Sequence, residues 1–292
     1  MSAHPSLTKA GLWMAGWLTL MLLMSVAGRA ATIEIDIFQI MELRAIIGLA
    51  LLWPLVHAAG GLRAMKSDVL GQHVGRNVVH YFAQYAWLLA LTMIPLAQLI
   101  SIEFTMPVWT AIFAGLFLGE RIGGLKIASI VLGILGVAVI VRPGLDHVDP
   151  GQLIALVMAV GFGISVTMVK GLTRHDSVVK IMFWMLVIQG LIGLLPALWV
   201  WRWPSAEAWA WIAVIAACGT FSHYCKAKAM TYADATVVIP MDFLRVPLSA
   251  ALGYLLYNEM LDVWTVAGGA MILFGNLLNL RGATPRKAEA TG

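Results

Sequence analysis

Residues Asn77, His80, Tyr81 and Gln84 follow an i, i+3, i+4, i+7 spacing, so a helix carries all four on one face. Thr220, His223 and Tyr224 repeat the i, i+3, i+4 part of that pattern later in the chain. Gln98, Ser101 and Thr105 form a third stripe, with Trp109 one turn further on. Such stripes place hydrogen-bonding groups beside aromatic surface, which suits a small molecule with charged ends and an apolar body. Polar side chains also join helices to one another, and Trp109 either stacks on a flat ligand or fills space; both readings stay open. Met14, Met21 and Met24 recur along one helix face, most simply as packing.

Five charges fall inside apolar runs: Glu42, Arg44, Glu103, Asp242 and Arg245. Arg44 and Glu103 lie at matching depths, which allows an ion pair, and Asp242 and Arg245 are i, i+3 on one helix. Static pairs that fix packing and a gate both account for them. Glu120 and Glu259 precede apolar runs, where a carboxylate suits the positive end of a helix dipole.

The elements that hold these residues are set by composition. Of 292 residues 61% are hydrophobic and 12% charged, and the mean hydropathy is +0.87. A soluble domain averages about 45–50% apolar and about 25% charged, so a bilayer is the solvent implied. Apolar runs at 11–28, 37–58, 77–93, 97–117, 125–141, 151–169, 180–200, 208–225, 235–256 and 264–280 predict ten membrane-spanning helices. The first run exceeds a signal-peptide core and is followed by further spans, so it is read as helix 1. Fourteen of the 19 Lys and Arg residues then fall on the side that holds both ends of the chain, against Arg29, Arg142 and Arg202 on the other. That bias predicts both termini in the cytoplasm. Cys218 and Cys225 are seven residues apart in one run, too far along a helix for a disulfide.

A shift of 139 residues aligns Tyr85 with Tyr224, Glu103 with Asp242, Phe104 with Phe243 and Glu120 with Glu259. Each unit holds five spans, an odd number, so the second enters the membrane in the opposite sense, as secondary transporters commonly do. Leu118-Gly-Glu-Arg121, Gly133-Ile-Leu-Gly136 and Val141-Arg-Pro-Gly144 resemble the end of an EamA repeat. Asn258-Glu259, Gly268-Gly-Ala, Gly275 and Arg281 resemble the second copy, with Asn258 in place of the usual glycine. The chain thus resembles the drug/metabolite transporter superfamily, EamA type, over about residues 11–281. The resemblance implies export of amino acids or other metabolites.

The expected fold is an all-α integral membrane protein, ten helices in an inverted 5+5 repeat. The first repeat is placed at 11–142, the second at 151–281, and a cytoplasmic tail at 282–292. No Walker, H-E-x-x-H or G-x-S-x-G motif is present, and no metal-ligand or nucleophile–base set is seen, so neither an enzyme nor a cofactor or metal site is expected. The expected function is a secondary transporter of the bacterial inner membrane that exports small metabolites, amino acids first, by alternating access. An organic-cation exporter anchored on Glu103 or Asp242, or a channel, is the alternative. Substrate binding is assigned to His80, Tyr81, Gln84, Ser101, Thr105, Trp109, Thr220, His223 and Tyr224. The partners expected are the substrate and the bilayer, with no nucleic acid and a monomeric state.

Overall fold

The apolar runs fold as helices, and several begin on a Ser or Asp that satisfies a first-turn amide. Asp36 accepts from Phe38 N at 2.8 Å, Asp149 from Gly151 N at 2.7 Å and Ser205 from Ala208 N at 3.1 Å. The computed structural model describes residues 6–118, 123–142, 149–233 and 235–283. Among these are α1 (Leu7–Glu34), α2 (Ile37–Ala58), α3 (Leu70–Met93), α4 (Leu96–Glu103), α5 (Met106–Leu118) and α6 (Gly124–Val141). The second half holds α7 (Pro150–Leu172), α8 (Val178–Trp199), α9 (Ala206–Tyr232), α10 (Ala235–Asp242), α11 (Arg245–Tyr257) and α12 (Val263–Ala283). A 3-10 turn at Leu62–Met65 links α2 to α3, and no strand occurs among the described residues.

The order of the first six helices recurs in the last six at the 139-residue spacing, and packing follows the same relation. Helix α1 lies along α9 as α3 lies along α7, while the mates α2 and α8 pack together, as do α6 and α12. Mates run antiparallel where they cross. Gly136 of α6 faces Gly268 and Ile272 of α12, whereas Gly275 faces Ser129 and Leu132. A Cβ on Gly136 would sit 2.7 Å from Gly268 O and 2.6 Å from an Ile272 carbon, so this crossing needs glycine.

Two spans expected to be continuous are broken at matching places. The first turns at Phe104–Thr105, between α4 and α5, and the second at Phe243–Leu244, between α10 and α11. Pro107 and Pro247 lie in the first turn of α5 and α11; a proline has no N–H to give to the preceding turn, so the ladder stops there. Asn276 of α12 donates to the freed Phe104 carbonyl at 2.7 Å. The Phe104 and Phe243 rings meet edge to face, their centroids 5.4 Å apart.

Other boundaries also move outward. Helix α1 covers 7–34 rather than 11–28, α3 starts at Leu70 rather than 77, and α9 runs to Tyr232 rather than 225. In α3 and α9 the added turns carry polar residues that protein groups bond, as described below. Nine stretches among the described residues are long and apolar enough to cross a membrane; α3, with 24 residues, has the length but is too polar to be one of them. The chain is a multi-pass, all-α membrane protein.

Candidate functional site

Helices α2, α3 and α8 bring together a group of inward-facing polar side chains along the seam they share, here termed the cleft. Arg44 Nη2 donates to Gln84 Oε1 at 2.6 Å and to Gln189 Oε1 at 3.4 Å. Gln189 Nε2 reaches Asn77 Oδ1 at 3.4 Å, and Asn77 Nδ2 donates to the His73 carbonyl at 2.8 Å. Beside this chain of amides Glu42 is 5% exposed and Tyr81 2% exposed. A methyl group on Gly193 would lie 2.8 Å from Glu42 Oε2 and 3.0 Å from the Tyr81 hydroxyl, so both oxygens converge over that glycine. Neither has a hydrogen-bond partner among the described residues, and neither does Arg44 Nε. Buried polar atoms left without partners are costly and mark places where a ligand completes the set.

A second polar cluster sits at the helix breaks. Arg245 Nη2 donates to Glu103 Oε1 at 2.6 Å, and Arg245 Nε lies 3.8 Å from Asp242 Oδ1. Glu103 Oε2 also accepts from Trp87 Nε1 at 2.9 Å. Asp242 accepts from Trp17 Nε1 at 2.6 Å and from Lys226 Nζ at 2.9 Å. Lys226 Nζ lies 4.4 Å from the Trp17 ring centroid, and the Arg245 guanidinium 4.9 Å from that of Phe104. The Arg44–Glu103 pair that matching depths allow does not form: Arg44 meets Gln84 and Glu103 meets Arg245. Arg44 belongs to the cleft, Arg245 spans both acids, and Glu103 and Asp242 meet at the joint of the two breaks. Lys226, which the charge count placed in a loop, is inside α9; the helix-forming stretch Ala227, Ala229 and Met230 is the signal that could have extended that helix.

The remaining site residues are dispersed. His80 turns to α7, its Nδ1 3.1 Å from Ser165 Oγ and its ring 5.3 Å from that of Phe162. Ser101 and Thr105 donate to the carbonyls of Ala97 and Ile102, both at 2.7 Å, and Thr105 Oγ1 accepts from Trp109 Nε1 at 3.2 Å. Trp109 packs against Gly163 of α7. Thr220 donates to Ala216 O at 3.0 Å. Tyr224 is 53% exposed, edge-on to Trp13 at 5.7 Å. The side chain of His223 lies outside the described residues, as does Glu120. Of the nine binding residues, Tyr81 and Gln84 enter the cleft with Glu42 and Arg44.

Both ends of the bundle carry polar stitches. At the distal end Gln39 exchanges two bonds with the Arg202 backbone, at 2.6 and 3.0 Å. Glu34 accepts from Ser205 N and Oγ at 2.7 and 2.6 Å. Glu259 pairs with Arg29 and accepts from Leu96 N at 2.8 Å, so it caps α4 and not the following helix, whose first turn Asp262 caps instead. Two clefts of about 510 Å³ each open here, one between Arg29 and Tyr257 and one between Glu34 and Trp199, and neither is lined by a binding residue named above. At the proximal end Asp176 receives Ser67, His73 and Lys180, the last two at 2.8 Å. Burial raises the pKa of its carboxyl, but the three hydrogen bonds outweigh that and hold it at about 2, below the ordinary 3.8.

The sequence matches the EamA-like transporter family twice, over residues 9–142 and 149–281. The chain belongs to the EamA-like transporter family. An S-adenosylmethionine uptake transporter of Rickettsia prowazekii is 27% identical over 73% of this chain and 72% of its own. A riboflavin transporter of Brucella anthropi is 28% identical over 81% and 85%, and a pseudopaline exporter of Pseudomonas aeruginosa is 25% identical over 86% and 88%. A solved crystal structure covers 94% of this chain and 97% of its own with a TM-score of 0.62 at 17% identity, a likeness of fold. This EamA-like protein is thus a small-molecule transporter and not an enzyme.

Proposed function

We propose that this EamA-like protein exports small zwitterionic metabolites, amino acids foremost, across the bacterial inner membrane by alternating access. The observation that carries the reading is the pair of unpartnered oxygens over Gly193 together with the unpartnered Nε of Arg44, two residues from Glu42 on α2. Arg44 is available to a carboxylate, and Glu42 with the Tyr81 hydroxyl to an ammonium group. Phe38 and Tyr85 stack at 4.6 Å one helical turn away on α2 and α3, an apolar wall for the substrate's body. The relatives' names include molecules with and without an amino-acid end, and both uptake and export, so the cleft and not the names favours this class. Export follows from where metabolites are made, since a carrier runs down the net driving force. Helix α3 is taken as the tenth span, because its polar residues face protein groups of α2, α7 and α8. With both termini in the cytoplasm the mates form an inverted repeat of residues 11–142 and 151–281.

The organic-cation alternative loses its expected anchors, because Glu103 and Asp242 are already saturated, and falls to Glu42 alone. Thermal unfolding of the purified protein separates the two readings. Amino acids raise the melting temperature with concentration, and quaternary cations do not; stabilisation by cations alone overturns the proposal. Counterflow in proteoliposomes, where a preloaded amino acid accelerates its own exchange, distinguishes a carrier from a channel. Cysteines placed at 63–68 and 170–176 are labelled only from the cytoplasmic side; labelling of both from outside reverses the orientation.

A further inference from the structure

Arg76, in the second turn of α3, is a buried guanidinium that no acid among the described residues pairs with. It is 7% exposed, its Nη1 donates to Asn77 Oδ1 at 2.7 Å, and its Nε has no hydrogen-bond partner among the described residues. Asp176, which meets His73 three residues earlier on α3, is already held by Ser67, His73 and Lys180. Asn77 Oδ1 also receives Gln189 Nε2, whose other amide atom accepts Arg44. One glutamine side chain and one asparagine oxygen therefore connect the two guanidiniums, both with an unpartnered Nε.

The formal charges inside this cleft are Arg44, Arg76 and Glu42, one positive charge in excess, since Asp36 at the start of α2 is exposed to solvent. An arginine held for packing alone can find carbonyl and carboxylate acceptors in this bundle, as Arg29 does with two carbonyls and Glu259, and Arg245 has two carboxylates as counter-charges. Arg76 has one amide oxygen. Buried charge without a counter-charge is unfavourable in a bilayer and persists where a mobile ligand supplies the balance.

We propose that Arg76 is a second anion subsite of the cleft, and that the preferred substrate is an amino acid bearing a second acidic group. Such a molecule has one ammonium and two carboxylates, a net charge of −1 that cancels the excess. Its α-carboxylate takes Arg44, its ammonium takes Glu42 and Tyr81, and its second carboxylate reaches past Gln189 toward the proximal end, to Arg76. The Gln189 amide accepts from Arg44 through Oε1 and donates to Asn77 through Nε2, so one amide and the Asn77 oxygen lie between the two guanidiniums, and a ligand with an anion at each end bridges them in parallel. The inference rests on the cleft being the amino-acid site.

The test is ligand binding by the full-length protein in detergent, with L-glutamate and its isosteric amide L-glutamine as probes. The wild type binds glutamate at least about tenfold more tightly than glutamine, because only glutamate supplies the second anion. R76Q lowers the affinity for glutamate about tenfold more than it lowers that for glutamine, so the preference disappears. R76K, which keeps the charge, retains part of the preference and guards against a variant that does not fold. Equal affinity of the wild type for the two probes, or an equal loss of both in R76Q, overturns the second subsite and leaves the amino-acid reading intact. Binding of neither probe nor of any other amino acid overturns that underlying reading as well.

Discussion

The joint at the helix breaks and the cleft between α2, α3 and α8 use the same residue types in opposite ways. At the joint two carboxylates meet two cations, and each acid has two donors, Trp87 and Arg245 for Glu103 and Trp17 and Lys226 for Asp242, with Arg245 Nε a further 3.8 Å ion pair to Asp242. In the cleft one carboxylate meets two guanidiniums, and Glu42 Oε2, the Tyr81 hydroxyl and both arginine Nε atoms are unpartnered. Of the joint's buried charged atoms Arg245 Nε alone lacks a hydrogen bond among the described residues, and it faces Asp242 at 3.8 Å. A closed set of charges resists movement and excludes a ligand, since any newcomer must displace a bond already made. An open set favours a ligand that completes it. Charge inside a membrane protein therefore does not by itself identify a binding site; the unfilled valences do.

The sharpest way to break that comparison is Arg245→Met. It leaves Glu103 and Asp242 buried and facing each other, and removal of one partner from a buried ion pair costs about 3–5 kcal/mol. Unfolding in detergent reads this directly. Combining it with Glu103→Gln and Asp242→Asn restores part of the loss, because the uncompensated charges are gone. A loss below about 1 kcal/mol for Arg245→Met alone shows that the joint is not held by its charges.

In the cleft the opposite balance is expected. Glu42→Gln removes an unpartnered buried carboxylate, so the stability of the empty protein is unchanged or raised, while amino-acid affinity falls by about tenfold or more, corresponding to about 1.4 kcal/mol. Gly193→Ala sharpens the point, since its methyl would sit within 3.0 Å of both Glu42 Oε2 and the Tyr81 hydroxyl and occupy the space over them. Thermal unfolding with and without ligand measures both quantities on the same sample. Equal losses of stability and of binding in Glu42→Gln make the cleft a second structural joint.

The sequence made the helices legible because a bilayer imposes length and hydropathy on every span, and the 139-residue repeat is visible in pairs such as Glu103 and Asp242. The paired breaks were not read, although Pro107 and Pro247 sit inside their spans, because hydropathy averages over a proline. Arg76 and Lys226 fall just outside the apolar runs 77–93 and 208–225 for the same reason: charge lowers a hydropathy window whatever the side chain contacts. Of the site, the α3 stripe gave Tyr81 and Gln84, yet periodicity shows only which residues share a face. It does not show that His80 turns to α7, or that Arg44 meets glutamines and not Glu103. Those outcomes depend on how helices distant in sequence pack.

The proximal stitch tests whether saturation alone confers stability. Asp176 binds Ser67, His73 and Lys180, so Asp176→Asn loses about 1–3 kcal/mol. The folded pKa of about 2 lies below the ordinary 3.8, which makes the charged carboxylate the stabilising form. Its contribution is complete above about pH 4 and disappears as pH falls through about 2. Unfolding curves of wild type and Asp176→Asn therefore converge on acidification from pH 6; a gap that persists at the lowest pH assigns the stability to packing instead.

The smallest effect is expected from Lys226→Met, and it bears on which cation holds the joint. The Lys226 side chain is 30% exposed although its Nζ is 2.9 Å from Asp242 Oδ2. Without it Asp242 keeps Trp17 Nε1 at 2.6 Å and Arg245 at 3.8 Å, and methionine still covers the Trp17 ring. The pair is partly hydrated and its acid has other donors, so the loss is at most about 1 kcal/mol. Amino-acid affinity does not change, because nothing in the cleft contacts Lys226. The comparison with Arg245→Met is then decisive in one respect. If Lys226→Met destabilises as much as Arg245→Met, Asp242 depends on the lysine of α9, and the guanidinium shared between the two breaks is not what joins them.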